Sequence, residues 1–250
     1  MDLRARLADR REPVFLYGTT PPRSGATAAQ VNEAAEKLAA RVRPLALDGL
    51  VVYDIQDESG RTSQPRPFPF IGTVDPRRYA TLLRERTGLT PITYKALGGM
   101  AEAPWQAWLV ESAQADLRVV SVVGRPTSGV RYPLALARAV RLAAEHPARF
   151  TVGGVAIAER HTEERSEAAR LLAKAVEGCA YFISQTVYHA ASPLAKSIEI
   201  CRDNLRRILD QPYAADIPLG VNVESVSINR DEIDASIDLC HALREVMSAR

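Results

Sequence analysis

Three stretches of this chain carry residue types and spacings that could do chemistry. In YDIQDESGRTSQPRPFPF (53–70), Asp54, Asp57 and Glu58 crowd together as an apolar run ends. Neighbouring carboxylates hold a proton more tightly than isolated ones, so one of them could serve as a general acid. Asp54 stands nearest the strand end. The same Asp-Glu-Ser-Gly string is also ordinary turn composition, with Asp57 as its cap. Arg61 is either an anion ligand or a partner for Glu58. In GVNVES (220–225), Asn222 and Glu224 stand two apart and share one face of a strand. They offer donor and acceptor atoms to a heterocycle, with Glu224 a second candidate acid, or they form a polar plug bonded to Lys95 or Arg125. Lys95 interrupts the apolar run PITYKAL (91–97). An inward lysine there needs a partner or a reaction, such as Schiff-base formation in a lyase or aldolase. Arg125, after Gly124, is an anion ligand or a surface residue before a proline turn. Tyr188, beyond Gln185, stacks on a ring or packs the rim.

The elements that must position these residues alternate. Strands are predicted at 13–19, 49–55, 91–97, 118–124, 150–157, 180–186 and 218–225. Helical periodicity runs through 26–42, 77–86, 132–146, 164–178, 193–209 and 231–248, the last with acids in its first turn. Strands separated by helices should be parallel, which leaves a barrel or an open doubly wound sheet. No strand is followed by GxGxxG, which counts against a dinucleotide-binding sheet. The polar residues Thr19, Thr20, Asp54, Gln56, Lys95, Arg125, Gln185, Asn222 and Glu224 collect at the C-terminal strand ends, where a barrel places its active site. The expected fold is therefore a single (β/α)8 TIM-type barrel over residues 1–250, with residues 1–12 as an N-terminal helix or cap. Seven strand–helix units are visible. Either an eighth strand is hidden, or the N-terminal helix or a partner chain closes the barrel.

Bulk properties narrow the function class. The chain has 250 residues, 46% hydrophobic and 25% charged, as suits a globular domain with a large core. A net charge of +2 from 32 basic and 30 acidic residues leaves no basic face for nucleic acid. Cys179, Cys201 and Cys240 form no CxxC pair, and the four histidines are equally dispersed, so buried thiols in a reducing cytosol are expected and a zinc site is not. No apolar run approaches the roughly 20 residues of a membrane span, and MDLRARLADRR lacks the apolar segment of a signal peptide.

The order of these motifs resembles the methylenetetrahydrofolate reductase family. Pro21-Pro22-Arg23 matches the tail of the Phe-Glu-Phe-Phe-Pro-Pro-Arg pattern that ends the family's first strand. RERTGLTPITYKAL (84–97) is similar to the passage into its third strand, and RVVSVVGRPTSG (118–129) to its fourth strand and flavin-contacting loop. KAVEGCAYFISQTVY (174–188) is similar to its Lys…Gly…Ile-Thr-Gln-Phe-Phe run. The resemblance spans about residues 13 to 225. It implies a barrel that binds a reduced folate and reduces methylenetetrahydrofolate with NAD(P)H through FAD.

Carried over residue by residue, the resemblance puts Gln185 on the folate and Lys174 near the flavin, with Tyr94 where the family has a histidine. Gly18 falls where the family has its strand-one acid, and Arg125 where it has a flavin-side aspartate. With both acids replaced, the implied acid is Glu224 or Asp54, and direct hydride transfer from NADH without flavin becomes an option. Gln185 and Asn222 would orient the pterin, with Asp57, Arg61, Lys95 and Tyr188 around it. Two alternatives share the ligand: a folate-dependent methyl- or methylene-transferase, and a catalytically silent folate-binding subunit that works in an oligomer.

Overall fold

A computed structural model describes residues 2–9, 14–57, 71–124, 133–157, 166–185, 187–188, 219–220 and 223–224. Contacts divide the chain into two compact units, Met1–Gly153 and Gly154–Arg250.

The first unit opens with helix α1 (Leu3–Ala8), and strands and helices then alternate through β1 (Leu16–Thr19), α2 (Ala28–Val42), β2 (Gly49–Val52), α3 (Pro76–Thr87), β3 (Thr90–Ala96), α4 (Glu102–Gln114), β4 (Val119–Val123), α5 (Leu136–Ala144) and β5 (Thr151–Ala156). β1 to β5 are neighbours in chain order, and the pairings from β1 to the start of β5 are all parallel. A doubly wound sheet reverses its strand order at a switch point. The sequential order found here is that of a (β/α)-barrel wall. Among the described residues β1 pairs with β2 alone, so no strand is seen closing on it.

Local signals explain the elements. Thr27 and Gln30 form a reciprocal capping box that starts α2. Asp75 caps α3, Pro76 opens it, and Gly88 ends it at φ 72°, a left-handed angle that favours glycine. The apolar stripes of α2 and α3, including Val31, Leu38, Tyr79 and Leu83, pack with Leu50 and Val52 of β2. α1 docks at the opposite ends of the strands. Leu3 is buried against the position a Gly49 Cβ would take, 2.8 Å away, and Arg4 Nε donates to Thr151 Oγ1 at 3.0 Å.

α4 had no counterpart in the sequence reading. Its buried residues Trp105, Trp108, Leu109 and Ser112 share one face, but Ala103, Ala107 and Val110 are exposed on the others, which blurs the stripe in the sequence. Pro104 sits in its first turn, where the missing N–H costs nothing.

In the second unit, the end of β5 is followed by α6 (Glu167–Val176) and β6 (Cys179–Ser184), then by the short strands β7 (Val187–Tyr188), β8 (Leu219–Gly220) and β9 (Val223–Glu224). β6 pairs in parallel with β8, and β7 with β9, and the register changes by one residue between the two ladders. The expected seventh strand is thus two short strands, with Glu224 on the second and opposite Tyr188. The helices expected at 193–209 and 231–248 lie outside the described residues.

Candidate functional site

The C-terminal ends of β1, β2 and β3 are tied together by backbone. The Thr20-Pro21-Pro22-Arg23 exit of β1 does not hang free: Val74 N donates to Pro22 O at 2.9 Å, Ser24 N to Gly72 O at 2.7 Å, and Arg23 bridges Thr73. Thr73 N in turn donates to Ile55 O at 3.0 Å. The proline pair presents its carbonyl at a fixed angle and so brackets the return of the long β2–α3 connection onto the strand ends.

Strand alternation sorts the side chains above this bracket into two sets. Leu50 and Val52 face α2 and α3, so Asp54, two further on, belongs to their face. Val52 registers with Thr93, which puts Lys95 on the same face. There Lys95 Nζ lies 3.0 Å from Asp54 Oδ2, and Ala96 N donates to the same oxygen at 2.9 Å. The two side chains are only 14% and 8% exposed. Lys95, expected to point inward, therefore lies on the helix-facing side with its ammonium held by Asp54.

Asp75 extends the cluster. Burial pushes its carboxyl up, but hydrogen bonds from the Arg77 side chain and backbone, with the positive charges of Arg77 and Lys95, outweigh that and hold it below the usual aspartate range. Arg77 also bonds Glu111 and lies over the Trp108 ring, 5.3 Å from its centroid, joining α3 to α4. Burial raises the Tyr79 hydroxyl, even though its hydrogen bond to Thr19 opposes the shift. This face is a structural clamp.

The other face carries Gly18, Tyr53 and Tyr94. Tyr94 is 6% exposed, and the half-buried Tyr53 meets it edge to face, with centroids 5.0 Å apart and planes at 70°. Tyr53 N donates to Thr19 O at 3.0 Å, which carries the β1–β2 ladder one residue past β2. A Cβ on Gly18 would stand 2.9 Å from the Tyr53 hydroxyl oxygen and 3.0 Å from Cε2. The glycine thus gives its side-chain space to a phenol from the next strand. Nearby, Gln56 Nε2 donates to Ala96 O at 3.4 Å, and any side chain at Gly98 would collide with the Gln56 carboxamide.

Sequence reasoning singled out Gly18 and Tyr94 but not Tyr53 or its contact with both. The available signal was that Tyr53 and Tyr94 each follow an apolar run with the same parity, which becomes a contact only once the β2–β3 register is known.

Asp57 is exposed. Gln185 is exposed, with its backbone N–H bonded to Ala156 O at 2.6 Å. Lys174 Nζ donates to Val155 O at 2.6 Å and lies 6.0 Å from the Phe182 centroid. Cys179 is buried, and desolvation pushes its thiol up to about 12 against a smaller opposing effect of Lys174. Arg61, Arg125 and Asn222 lie outside the described residues, as do the side chains of Tyr188 and Glu224. Among the described residues no cluster of His, Cys, Asp and Glu could hold a metal, and no helix is long and apolar enough to cross a membrane.

No protein-family model matches the chain, and no curated protein matches it in sequence. Solved structures do. An uncharacterized protein from Clostridium thermocellum that binds two copies of 5-methyl-5,6,7,8-tetrahydrofolic acid aligns over 99% of this chain and 100% of its own, with a TM-score of 0.65 and 22% identity. Pyruvate carboxylase from Rhizobium etli aligns over 92% of this chain and 22% of its own, with a TM-score of 0.54 and 14% identity. At such identities the likeness is one of fold.

Proposed function

We propose that this chain binds a reduced folate at the C-terminal ends of its strands. The observation that carries the reading is the likeness of fold, over the whole of both chains, to the Clostridium thermocellum folate-binding protein. Two features of the chain agree with it. The motif order resembles that of folate-reducing barrels, and the face of β1–β3 opposite the helices presents aromatic and hydroxyl groups suited to a heterocycle.

In its finer form the reading is a methylenetetrahydrofolate reductase-like activity. NAD(P)H would deliver hydride to the methylene carbon in its iminium form, leaving the methyl group on N5. Because Arg125 and Gly18 stand where the resembling family has its two acids, direct transfer from the nicotinamide is the form proposed. The general acid is then Glu224 or Asp54, and the engagement of Asp54 by Lys95 favours Glu224. The second reading, a transferase or a silent folate-binding subunit, is favoured by one specific observation: Gly18 has no acidic group, and its space is filled by Tyr53.

Titration calorimetry with 5-methyltetrahydrofolate tests the binding, and no heat of binding would overturn it. Anaerobic NADH and NADPH oxidation with methylenetetrahydrofolate, in protein without flavin absorbance, separates the two readings. Folate-dependent consumption, abolished in Glu224→Gln, establishes the reductase. Binding without consumption, even with added FAD, leaves the transferase or the silent subunit.

A further inference from the structure

We propose that Glu167 and Lys174 of α6 are positioning residues for the ligand: they hold the exit of β5 and through it set the place of Gln185, whose carboxamide meets the folate. The inference rests on the folate reading above and assigns particular residues of the second unit to that site.

The β4–β5 register ends at Gly153, so Val155, Ala156 and Ile157 lie beyond it. Backbone groups that leave a ladder need other partners. Val155 O accepts from Lys174 Nζ at 2.6 Å, Ala156 O accepts from Gln185 N at 2.6 Å, and Ile157 N donates to Glu167 Oε1 at 3.0 Å. One strand exit is thus tied to the end of β6 by backbone and to α6 by a base and an acid.

The sequence of α6 explains the grip. Glu167, Leu171 and Lys174 stand at i, i+4 and i+7, on one face of the helix. Leu171 is buried, and Glu167 is only 1% exposed. A carboxylate so buried is costly unless it is paired and hydrogen-bonded. The bond from Ile157 N, Arg170 Nη1 at 3.5 Å, and a place in the first turn of α6, where the helix dipole favours an acid, all offset that cost. An apolar residue could fill the same space but could not accept from Ile157 N.

What the grip positions is Gln185. Its N–H is held by Ala156 O and its carbonyl accepts from Ser184 Oγ at 2.8 Å, so its backbone is fixed at both polar groups while its side chain is exposed. It directly follows β6, at the strand ends where barrels bind their ligands. A carboxamide donates and accepts at once, which matches the amide-like edge of a reduced pterin. Its reach is set by the backbone that carries it, and so by where β5 ends.

The test is a double-mutant cycle on the affinity of the full chain for 5-methyltetrahydrofolate, with melting curves taken alongside. Gln185→Ala is expected to weaken binding by about 5-fold, the effect of one hydrogen bond. Glu167→Ala and Lys174→Met should each weaken it by a similar factor when Gln185 is present. In the Gln185→Ala background each should change it by less than about 2-fold, because both act through that side chain. Glu167→Gln keeps an acceptor for Ile157 N and should restore binding to within about 2-fold. Equal losses in both backgrounds would overturn the proposal, as would unchanged affinity in both Glu167→Ala and Lys174→Met. Gln185→Ala trims an exposed side chain, so it reads binding even where Glu167→Ala fails to fold. Unchanged affinity in that variant would overturn the proposal and leave the folate reading intact. Failure of the unmodified chain to bind 5-methyltetrahydrofolate would overturn the folate reading itself.

Discussion

The two faces of β2 and β3, one residue apart in sequence, have been put to opposite uses. On the helix-facing side Asp54, Lys95, Asp75 and Arg77 hold one another and anchor the start of α3. On the other side Tyr53 meets Tyr94 edge to face and fills the side-chain space of Gly18. The contrast teaches that charge at a strand end is a poor guide to reactivity. Charged groups near the core are costly unless paired, so those that persist tend to be already engaged. A neutral phenol can remain partly exposed on a strand face without the pairing that a buried charge requires.

The sharpest way to break the comparison is Lys95→Ala. It strands the Asp54 carboxylate at 8% exposure and should cost about 3 kcal/mol of stability, read as a lower urea midpoint. Folate affinity of the protein that remains folded should be unchanged. A variant that kept its stability and lost its ligand would reverse the roles assigned to the two faces.

Gly49→Ala probes the far end of the tyrosine face, where the strands are closed by α1. The added methyl would lie 2.7 Å from Thr90 O and 2.8 Å from Leu3 Cδ2, and a cost of about 2 kcal/mol is expected in thermal unfolding. Tyr53→Phe should cost less than Lys95→Ala, about 1 kcal/mol in the same urea unfolding.

Acid should weaken the clamp. The Asp75 carboxyl is held below its ordinary value in the folded chain, so its contribution is present above about pH 4 and is lost as pH falls through the depressed value. Asp75→Asn should flatten the acid limb of the stability–pH curve without altering its shape above pH 5. The smallest effect concerns Cys179. With its thiol pushed up to about 12, native protein should react with a thiol reagent at neutral pH only as fast as it opens. Fast labelling at that position would contradict its burial.

Some of this was readable in advance. Asp75-Pro76 and Gly88 announce both ends of α3, because caps are local chemistry. The alternation of strands and helices, and with it the parallel sheet, follows from periodicity alone. α4 escaped because exposed apolar residues such as Ala107 and Val110 blur the stripe of Trp105, Trp108 and Leu109. The site was legible only in part. Tyr94 and Gly18 were marked by where they depart from a resembling family, but Tyr53 carried no mark of its own, and Asp54 and Lys95 drew notice as potentially reactive when they are partners.

By itself, the sequence determined parity: residues two apart share a face, so Asp54 goes with Val52 and Lys95 with Thr93, while Tyr53 and Tyr94 go with the other set. It could not say which set meets the helices. A parallel strand is apolar on both faces, as β2 is at every position, so hydropathy labels neither side. That choice belongs to the tertiary structure, where α2 and α3 cover Leu50 and Val52 and so commit the charges to the helix-facing side and the phenols to the other.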